Sequence, residues 1–394
     1  MKRMRSDEEV PSHLSAPGRN EGSRGPEPRC RLAVVAWLCA CACTLLSASP
    51  AWTAEVDCPS PTRINGFPVE HAIGAKWNAA TLTLAFGKPR SDGHYATYLS
   101  DADGGQVRRV AFAGWRDDRH QFPAAWHPSG RYLVMTVEKT DHVGSQADAT
   151  PGYGGYSDYW LVTPDGRSAS KLVDLPGDSA HAITHAAFSP DGTKFVWTER
   201  IKAPRIASRN LLAGSYRFNV ANFVETELPH LTDVRSIIPE GADQGGEAES
   251  IAADDKTIAF WSTFRTKNLF ASRIYTMDIE NGSIQELTTE SWSQAPTFTP
   301  DGSHIVYMSG TQSDTFPFSL QGADWWIMRR DGSHKQRLTY MNRRGNPQSV
   351  GKFRLAGSLS FISDQRFYGD VMTKSFGLVG QIVDVTIQAG CIDH

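Results

Sequence analysis

Seven side chains between residues 120 and 294 are candidates for a binding or catalytic site. Histidine and carboxylate groups can coordinate a divalent metal or act as a base and an acid. The candidates are His120, His181, His185, Glu247, Glu249, Trp292 and Gln294. Among them, His181, His185 and Glu249 are the candidate catalytic groups, and His185 is the candidate metal ligand. Because no CxxC or HExxH spacing accompanies them, the sequence predicts no cofactor. A divalent metal and a polar, water-filled site stay open as alternatives.

Two loops carry further candidate contacts. The glycine-rich segment 144–158, GSQADATPGYGGYSD, contains Tyr153 and Tyr156. Both tyrosines suit a ligand lid or a partner contact, and they equally suit packing against the edge of a sheet. Segment 199–217, ERIKAPRIASRNLLAGSYR, holds five basic residues, among them Arg205 and Arg209. In a chain of formal net charge -3, such a loop could bind an anionic ligand or could simply be solvated.

An internal repeat indicates which secondary-structure elements position these residues. Its clearest copies are AAFSPDGTKFVW at 186–197 and PTFTPDGSHIVY at 296–307, and a third copy is AWHPSGRYLVM at 125–135. Weaker copies surround Trp77, Ile251 and Leu355. The sequence therefore contains six units, spaced 47 to 63 residues apart.

The residue pattern of each unit predicts four antiparallel strands. An apolar strand leads into a Pro-Asp-Gly-type turn, whose Pro and Gly supply the dihedral angles of a tight reversal, and a second apolar strand leaves it. A variable loop, a third strand, another tight turn and a short fourth strand follow. Such units, repeated radially, make a β-propeller. We therefore predict an all-β fold with six four-stranded blades over residues 71–394, after a lead-in at 55–70.

Composition and charge agree with this fold and exclude one class of function. Aromatic residues make up 10% of the chain, which also contains 34 Gly and 22 Pro, as is typical of turn-rich β proteins. The negative net charge excludes a generally basic nucleic-acid binder.

The repeats carry a family resemblance. FSPDGTKFVW, FTPDGSHIVYMS and the later WWIMRRDGSHKQRLT resemble the PD40 (WD40-like) repeats of TolB-type periplasmic propellers, over roughly residues 70–390. The resemblance implies a propeller that binds other molecules. It specifies the blades more strongly than the function, because the matching residues form turns and core.

The long insertions predict which face of the propeller carries the site. In a propeller, the loops between second and third strands share one face with the blade-to-blade connections. Insertions fall on that face at 138–158, 199–216, 262–273 and 309–324. Long loops on a rigid scaffold are where binding usually resides. We therefore predict the site on this insert face and at the adjoining end of the central channel, where the seven candidate side chains enter the innermost strands.

The N-terminal segment predicts export. Residues 31–54 place a basic residue before an apolar stretch and then small residues that end at Ala54, which is the layout of a cleaved secretory signal. We predict a signal peptide at 1–54, a periplasmic or secreted location, and no membrane span after cleavage. An uncleaved anchor and lipid attachment at Cys41 are the alternatives.

Two cysteines, Cys58 and Cys391, lie beyond this cleavage site. In an oxidising compartment they predict a disulfide that ties the chain ends together. Two unpaired thiols are the alternative.

Two functions follow from these features. The first is a non-catalytic propeller whose insert face grips an envelope protein, a peptide or an anionic glycan. The alternative is a metal-assisted lyase acting on an acidic oligo- or polysaccharide. Oligogalacturonate lyases are propellers with similar F-S-P-D-G blades and a histidine-held metal in the channel, and HAAFSPDG, with His185 three residues before Phe188, is similar to one such element. Pro123, Ala248 and Ala295 stand at the equivalent positions of other blades.

Overall fold

The computed structural model describes residues 62–388, apart from 113, 143–145, 203–204, 208–209, 213, 238–244, 291, 313–320, 350–353 and 376. The predicted signal peptide, Cys58 and Cys391 lie outside the described residues. The described chain begins with a short strand, β1 (Arg63–Gly66). Nearly all of the regular structure that follows is antiparallel β-sheet.

The first two sheets have four strands each. The first sheet contains β2 (Ile73–Asn78), β3 (Thr83–Pro89), β4 (Tyr95–Ser100) and β5 (Arg108–Arg109). The second contains β6 (Gln121–Trp126), β7 (Leu133–Glu138), β8 (Ser157–Val162) and β9 (Ala169–Val173). A one-turn helix, α1 (Gln146–Ala149), lies in the insertion between β7 and β8.

The next two sheets have the same plan. The third contains β10 (Ala182–Phe188), β11 (Lys194–Lys202), β14 (Ser215–Val224) and β15 (His230–Ile237). Its insertion forms a separate two-stranded ribbon of β12 (Arg205–Ala207) and β13 (Asn210–Leu212). The fourth contains β16 (Gly246–Ile251), β17 (Thr257–Ser262), β18 (Arg273–Asp278) and β19 (Ile284–Glu286). A 3₁₀ turn (Leu269–Ala271) lies between β17 and β18.

The last sheet has eight strands in two antiparallel halves. One half contains β20 (Ser293–Phe298), β21 (His304–Gln312), β22 (Gln321–Arg329) and β23 (Gln336–Arg337). The other contains β24 (Arg354–Ser363), β25 (Arg366–Ser375), β26 (Gly377–Thr386) and the N-terminal β1. A single parallel pair, Ala323 with Leu355, joins the halves.

The first strands of these units form a closed ring. Each of β2, β6, β10, β16, β20 and β24 contacts the next, and β24 contacts β2. The ring surrounds a central channel. The predicted β-propeller is therefore confirmed as an arrangement of the described strands. None of the helices among the described residues has the length and apolar character needed to cross a bilayer.

Buried aromatic side chains hold neighbouring sheets together. Between the third and fourth sheets, Phe218 packs edge-to-face on Phe260, with ring centroids 5.2 Å apart. Where the last strands meet the first sheet, Phe67 packs on Phe86 at 5.7 Å and on Tyr368 at 5.9 Å. Because burial of apolar surface is the main stabilising term in folding, these contacts fix the sheets around the channel.

The Pro-Asp-Gly turns end the first strands as the repeat predicts. In the β10–β11 turn, the Asp191 carboxylate accepts the Thr193 amide at 2.9 Å. Gly192 has a φ of 78°, a conformation that favours glycine. The Asp191 amide in turn donates to Asp255 of the next sheet at 3.1 Å. The β20–β21 turn at Asp301 repeats this arrangement. These turn residues therefore also connect neighbouring sheets.

The structure adds one strand that the repeat did not reveal. Arg63–Gly66 lie in the segment treated as a lead-in, yet they pair in antiparallel register with β26. Both ends of the described chain therefore belong to one sheet, and this sheet packs on the first sheet through the cluster at Phe67.

Candidate functional site

Each strand of the ring is interrupted by a β-bulge, and β24 has a second register shift between Phe361 and Ser363. The pairing register shifts between Ile73 and Lys76, Pro123 and Ala125, Ile183 and Ala186, Ala248 and Ser250, Gln294 and Thr297, and Ala356 and Leu359. A bulge leaves a residue outside the ladder and re-aims its side chain. His185, Glu249 and Ser358 occupy three of these interruptions.

These three bulge residues contact one another in the channel. Nδ1 of His185 lies 2.7 Å from Oε2 of Glu249. Because an ionised carboxylate can only accept, Nδ1 carries the proton and the lone pair of the neutral ring lies on Nε2. The Ser358 hydroxyl lies 3.3 Å from Nε2. The side chain of Glu249 is 4% exposed and that of His185 is 18% exposed, so the imidazole is held by a buried carboxylate and keeps some access.

A second carboxylate completes this cluster. Glu247 accepts a hydrogen bond from the Trp261 indole at 3.0 Å. One ligand atom from each of His185, Glu247 and Glu249 lies within 4.8 Å of the others. One imidazole and two carboxylates form a donor set that divalent cations accept. The same three groups can exchange protons with a bound molecule.

Lys76 and Asp370 face the same part of the channel. Asp370, on β25, accepts the Gly74 amide at the β2 bulge through both of its oxygens, at 2.9 and 3.0 Å. This contact joins the last sheet to the first. Lys76 follows the β2 bulge and interacts electrostatically with Glu249 and Asp370. Five ionisable side chains, from the first, third, fourth and last sheets, therefore interact with one another in the channel.

A cavity of about 270 Å³ is lined by four of these side chains, Lys76, His185, Glu247 and Asp370. Its apolar wall includes Ile73, Phe122, Ile183 and Met372. Insert residues within 149–154 also line it, which places it on the insert face. We call it the channel-mouth cavity.

A second cavity of about 310 Å³ lies towards the Pro-Asp-Gly turns. It is lined by aromatic residues that end the first strands, among them Trp77, Trp126 and Phe188. Lys76 lines both cavities, whereas Glu249 lines the second cavity and not the channel-mouth cavity. The ionisable cluster therefore lies between the two ends of the channel.

Burial and mutual attraction set the protonation of His185 and Glu247. Burial opposes charge on His185, but the carboxylates of Glu249 and Glu247 outweigh it and raise the pKa of this imidazole. Burial also raises the pKa of Glu247, against the opposing effect of His185. Such perturbed groups in a cleft are typical of functional sites.

The pKa values of Lys76 and Asp370 are shifted by the same low-dielectric surroundings. Burial lowers the pKa of Lys76, although Glu249 and Asp370 oppose the shift. Burial raises the pKa of Asp370 from 3.8 to about 6, although the Gly74 amide and Lys76 favour its charged form. Both shifts favour the neutral forms of these side chains.

The candidate histidines divide into three environments. Only His185 joins the carboxylate cluster. His181 is partly exposed, and its Nδ1 lies 2.8 Å from Asp178. His120 lines the channel-mouth cavity, but its Nδ1 accepts the amide of Tyr95 at 3.1 Å. The structure therefore does not bring His181 and His120 onto His185.

His120 belongs to a separate buried group with His94 and Glu138. One ligand atom from each of the three lies within 4.8 Å of the others. Glu138 accepts the His120 amide at 2.8 Å, and its other oxygen lies 2.7 Å from Nε2 of His142. Burial lowers the pKa of His120, against the effect of Glu138. These contacts fix the strand ends beside the insert.

The two insert tyrosines have different surroundings. Tyr156 is buried and stacks on His142, with ring centroids 4.5 Å apart. It therefore packs the insert against the sheet, one of the two alternatives from the sequence. Tyr153 is 60% exposed and is available for contact.

The remaining candidates lie away from the cluster or outside the described residues. Trp292 is buried against Phe270, with ring centroids 5.5 Å apart. Gln294 is half-buried on β20, just before its bulge. Arg205 begins β12, but its side chain lies outside the described residues, as does all of Arg209.

Sequence analysis missed Lys76, Ser358 and Asp370. A signal for one of them was present, because Ser358 stands three residues before Phe361 as His185 stands three before Phe188. When the weak copy near Leu355 is aligned on Phe361, the aromatic residue that corresponds to Phe188, Ser358 falls at the position of His185. Asp370 lies on a second strand, where the repeat gives no such signal.

Comparisons with known proteins agree with the fold. No family model matches the chain, and no curated protein matches it. TolB from Acinetobacter baumannii is a similar solved structure, with 19% identity and a TM-score of 0.48 over 79% of this chain and 65% of that one. The chain thus spans less than two thirds of that TolB.

Two further similar structures are a putative TolB from Agrobacterium tumefaciens and an oligogalacturonate lyase from Vibrio parahaemolyticus. The first has 14% identity and a TM-score of 0.43, over 71% of this chain and 82% of that one. The second has 14% identity and a TM-score of 0.48, over 86% and 97%. The arrangement of the described sheets confirms the resemblance to TolB-like, PD40-type propellers at the level of the fold.

The raised pKa of Asp370 predicts a pH-dependent stability. Because this carboxyl holds its proton more tightly in the folded chain than in the unfolded chain, its contribution to the free energy of unfolding should fall as pH rises from about 4 to about 7. Its contribution over that range is at most about 3 kcal/mol. Asp370→Asn should remove this part of the fall, as measured by urea unfolding across that range.

Glu280→Gln, at an exposed carboxylate 3.7 Å from Lys256, is the matched control and should leave the slope unchanged. A wild-type slope in Asp370→Asn would contradict the assignment.

Proposed function

We propose that this chain is an exported binding propeller whose insert face holds a peptide or an envelope glycan. One residue of that ligand would enter the channel-mouth cavity. The observation that carries the proposal is the convergence of Lys76, His185, Glu247 and Asp370 on one cavity of about 270 Å³, with Glu249 holding the His185 imidazole. Small-molecule sites combine an apolar wall with a few polar groups of this kind.

The charges in the cavity favour a particular ligand class. The cluster holds three carboxylates, of which Glu247 and Asp370 line the cavity, against one lysine and one imidazole, so an uncharged or basic residue fits better than an acidic one. The exposed Tyr153 supplies an aromatic surface on the same insert. An anionic glycan would instead depend on the basic residues of segment 199–217, among them Arg205 and Arg209. We therefore favour a peptide or a neutral or amino sugar in the cavity.

A metal-assisted lyase is the second candidate function. The observation that favours it is the grouping of His185, Glu247 and Glu249, which fits a divalent cation. The histidine-held metal implied by resemblance to oligogalacturonate lyases fits less well, because His181 and His120 have other partners. When bound, the metal would neutralise the carboxylate of an acidic sugar, and because His185 would then be a ligand, Lys76 would be the cavity group left to take up a proton.

One set of measurements tests both candidates. Calorimetric titration of the chain with neutral, amino and acidic disaccharides and with lysyl dipeptides should detect binding of an uncharged or basic member. Glu249→Gln should weaken that binding at least about tenfold, because it removes the buried carboxylate that holds the His185 imidazole at the cavity wall, a charged acceptor worth about 1.5 kcal/mol or more. Glu280→Gln should bind as wild type does.

Equal binding by Glu249→Gln would contradict the proposed site. Metal analysis of protein purified without chelators provides the second arm of the test. A stoichiometric divalent ion that is lost in His185→Ala, together with preference for the acidic disaccharide, would support the lyase instead.

We further propose that the propeller has six blades and that the Cys58–Cys391 disulfide closes it after export. The support for six blades is the ring of six first strands. The support for the disulfide is the register of β1 and β26, in which Arg63 pairs with Thr386. Each cysteine lies five residues beyond one of these partners, and opposed residues of antiparallel strands have Cα separations that a disulfide can span.

The disulfide predicts no free thiol in the exported protein. Thiol titration of the denatured, non-reduced chain recovered from a periplasmic or secreted fraction should give none, and reduction should release two. Cys58→Ser should lower the midpoint of thermal unfolding, because the long closed loop constrains the unfolded chain. Two thiols before reduction would contradict the pairing.

A further inference from the structure

Ser358, His185 and Glu249 form a hydroxyl–imidazole–carboxylate series that the binding proposal does not use. The hydroxyl oxygen of Ser358 lies 3.3 Å from Nε2 of the imidazole, and its Nδ1 lies 2.7 Å from the carboxylate. Nucleophilic catalysis needs a nucleophile next to a base, and a third group that orients the base. The distance between nucleophile and base is often long in enzymes without a bound ligand. We propose that these residues hydrolyse a short-chain acyl ester bound in the channel-mouth cavity. The inference rests on the proposed function, in which that cavity receives a ligand.

The fold gives each of the three residues a fixed position. All three lie at bulges of first strands, on β24, β10 and β16. The carbonyl of Gly357, next to Ser358, accepts the indole N–H of Trp325 at 3.0 Å. Trp325 is fully buried. The hydroxyl therefore projects from a rigid bulge and not from a loop, which favours precise placement of the group.

These positions define the steps of the ester hydrolysis. The Ser358 oxygen attacks the ester carbonyl carbon while its proton passes to Nε2 of His185. Collapse of the tetrahedral intermediate breaks the bond to the alcohol oxygen, which leaves with that proton. Water then attacks the acyl-serine with His185 again as base, and the free acid and the serine hydroxyl are released. Glu249 holds the ring with Nδ1–H turned away from the serine.

The cavity lining indicates the substrate class. Lys76 is the one described lysine that lines it, and its amine can donate a hydrogen bond to the oxygen that becomes negative during attack. Ile183 and Met372 give an apolar wall for an acyl chain. A volume of about 270 Å³ limits that chain to a few carbons. We therefore expect acetyl or similarly short acyl esters.

The test is covalent labelling of the full chain with a small alkyl fluorophosphonate. This reagent phosphonylates a serine whose hydroxyl is activated by a neighbouring base. Peptide mass spectrometry should find one adduct, at Ser358. Ser358→Ala should give none, and His185→Gln should react at least about 100-fold more slowly. p-Nitrophenyl acetate turnover should fall in the same two variants.

Ser360→Ala is the matched control on the same strand. The Ser360 hydroxyl accepts the Trp77 amide at 2.8 Å, and this variant should be labelled as wild type is. The labelling rate should also rise with pH as the imidazole loses its proton. The groups that face the imidazole are Glu247, Glu249, Lys76 and Asp370, so Glu249→Gln should move this pH profile.

Three results would overturn the triad: no adduct, an adduct on another serine, or equal labelling of Ser358 in wild type and His185→Gln. Absence of labelling is separated from failure of the binding proposal by calorimetry on the wild-type chain, which should bind the neutral or basic ligand whether or not Ser358 is a nucleophile. Normal binding with no labelling in wild type would leave a binding protein without this activity.

Discussion

Closure of the strand ring is the constraint on which the rest of the structure depends. The last sheet is completed by β1, whose register with β26 brings the two ends of the described chain together. The Ile382 amide donates to the Ala72 carbonyl at 2.8 Å across the junction with the first sheet. The channel exists only when this junction is closed, because its wall includes β2 and β24 side by side.

The candidate site lies at that junction. Ser358 and Asp370 come from the last sheet, while Gly74 and Lys76 come from the first. The contact between Asp370 and the Gly74 amide therefore has both a structural and an electrostatic role. It links the sheets, and it places a carboxyl group of raised pKa beside the buried lysine. A change that loosens the junction would alter the cavity charges together with stability.

The sequence predicts the fold better than the site. Turn residues such as Asp191 and Gly192 recur in several units, because each reversal needs the same dihedral angles and hydrogen bonds. Site residues do not recur, since each ring strand contributes a different side chain at its bulge. His185 could be found beside a strong repeat, and Glu249 followed from its place near the channel mouth. Asp370 and the bulges themselves depend on pairing between distant strands, which spacing along the chain does not reveal.

The protonation of His185 is the most direct test of the site. The proposed site requires that Nδ1–H of His185 donates to Glu249 and that the lone pair of the neutral ring lies on Nε2. Long-range ¹H–¹⁵N NMR of the histidine-labelled chain, assigned with His185→Gln, reports which nitrogen carries the proton. We predict the Nδ1–H form above the pKa of this imidazole, and its loss in Glu249→Gln. A neutral ring protonated on Nε2 would contradict the proposed site. His185 would then have no lone pair facing the cavity, and Glu249 would not orient its imidazole.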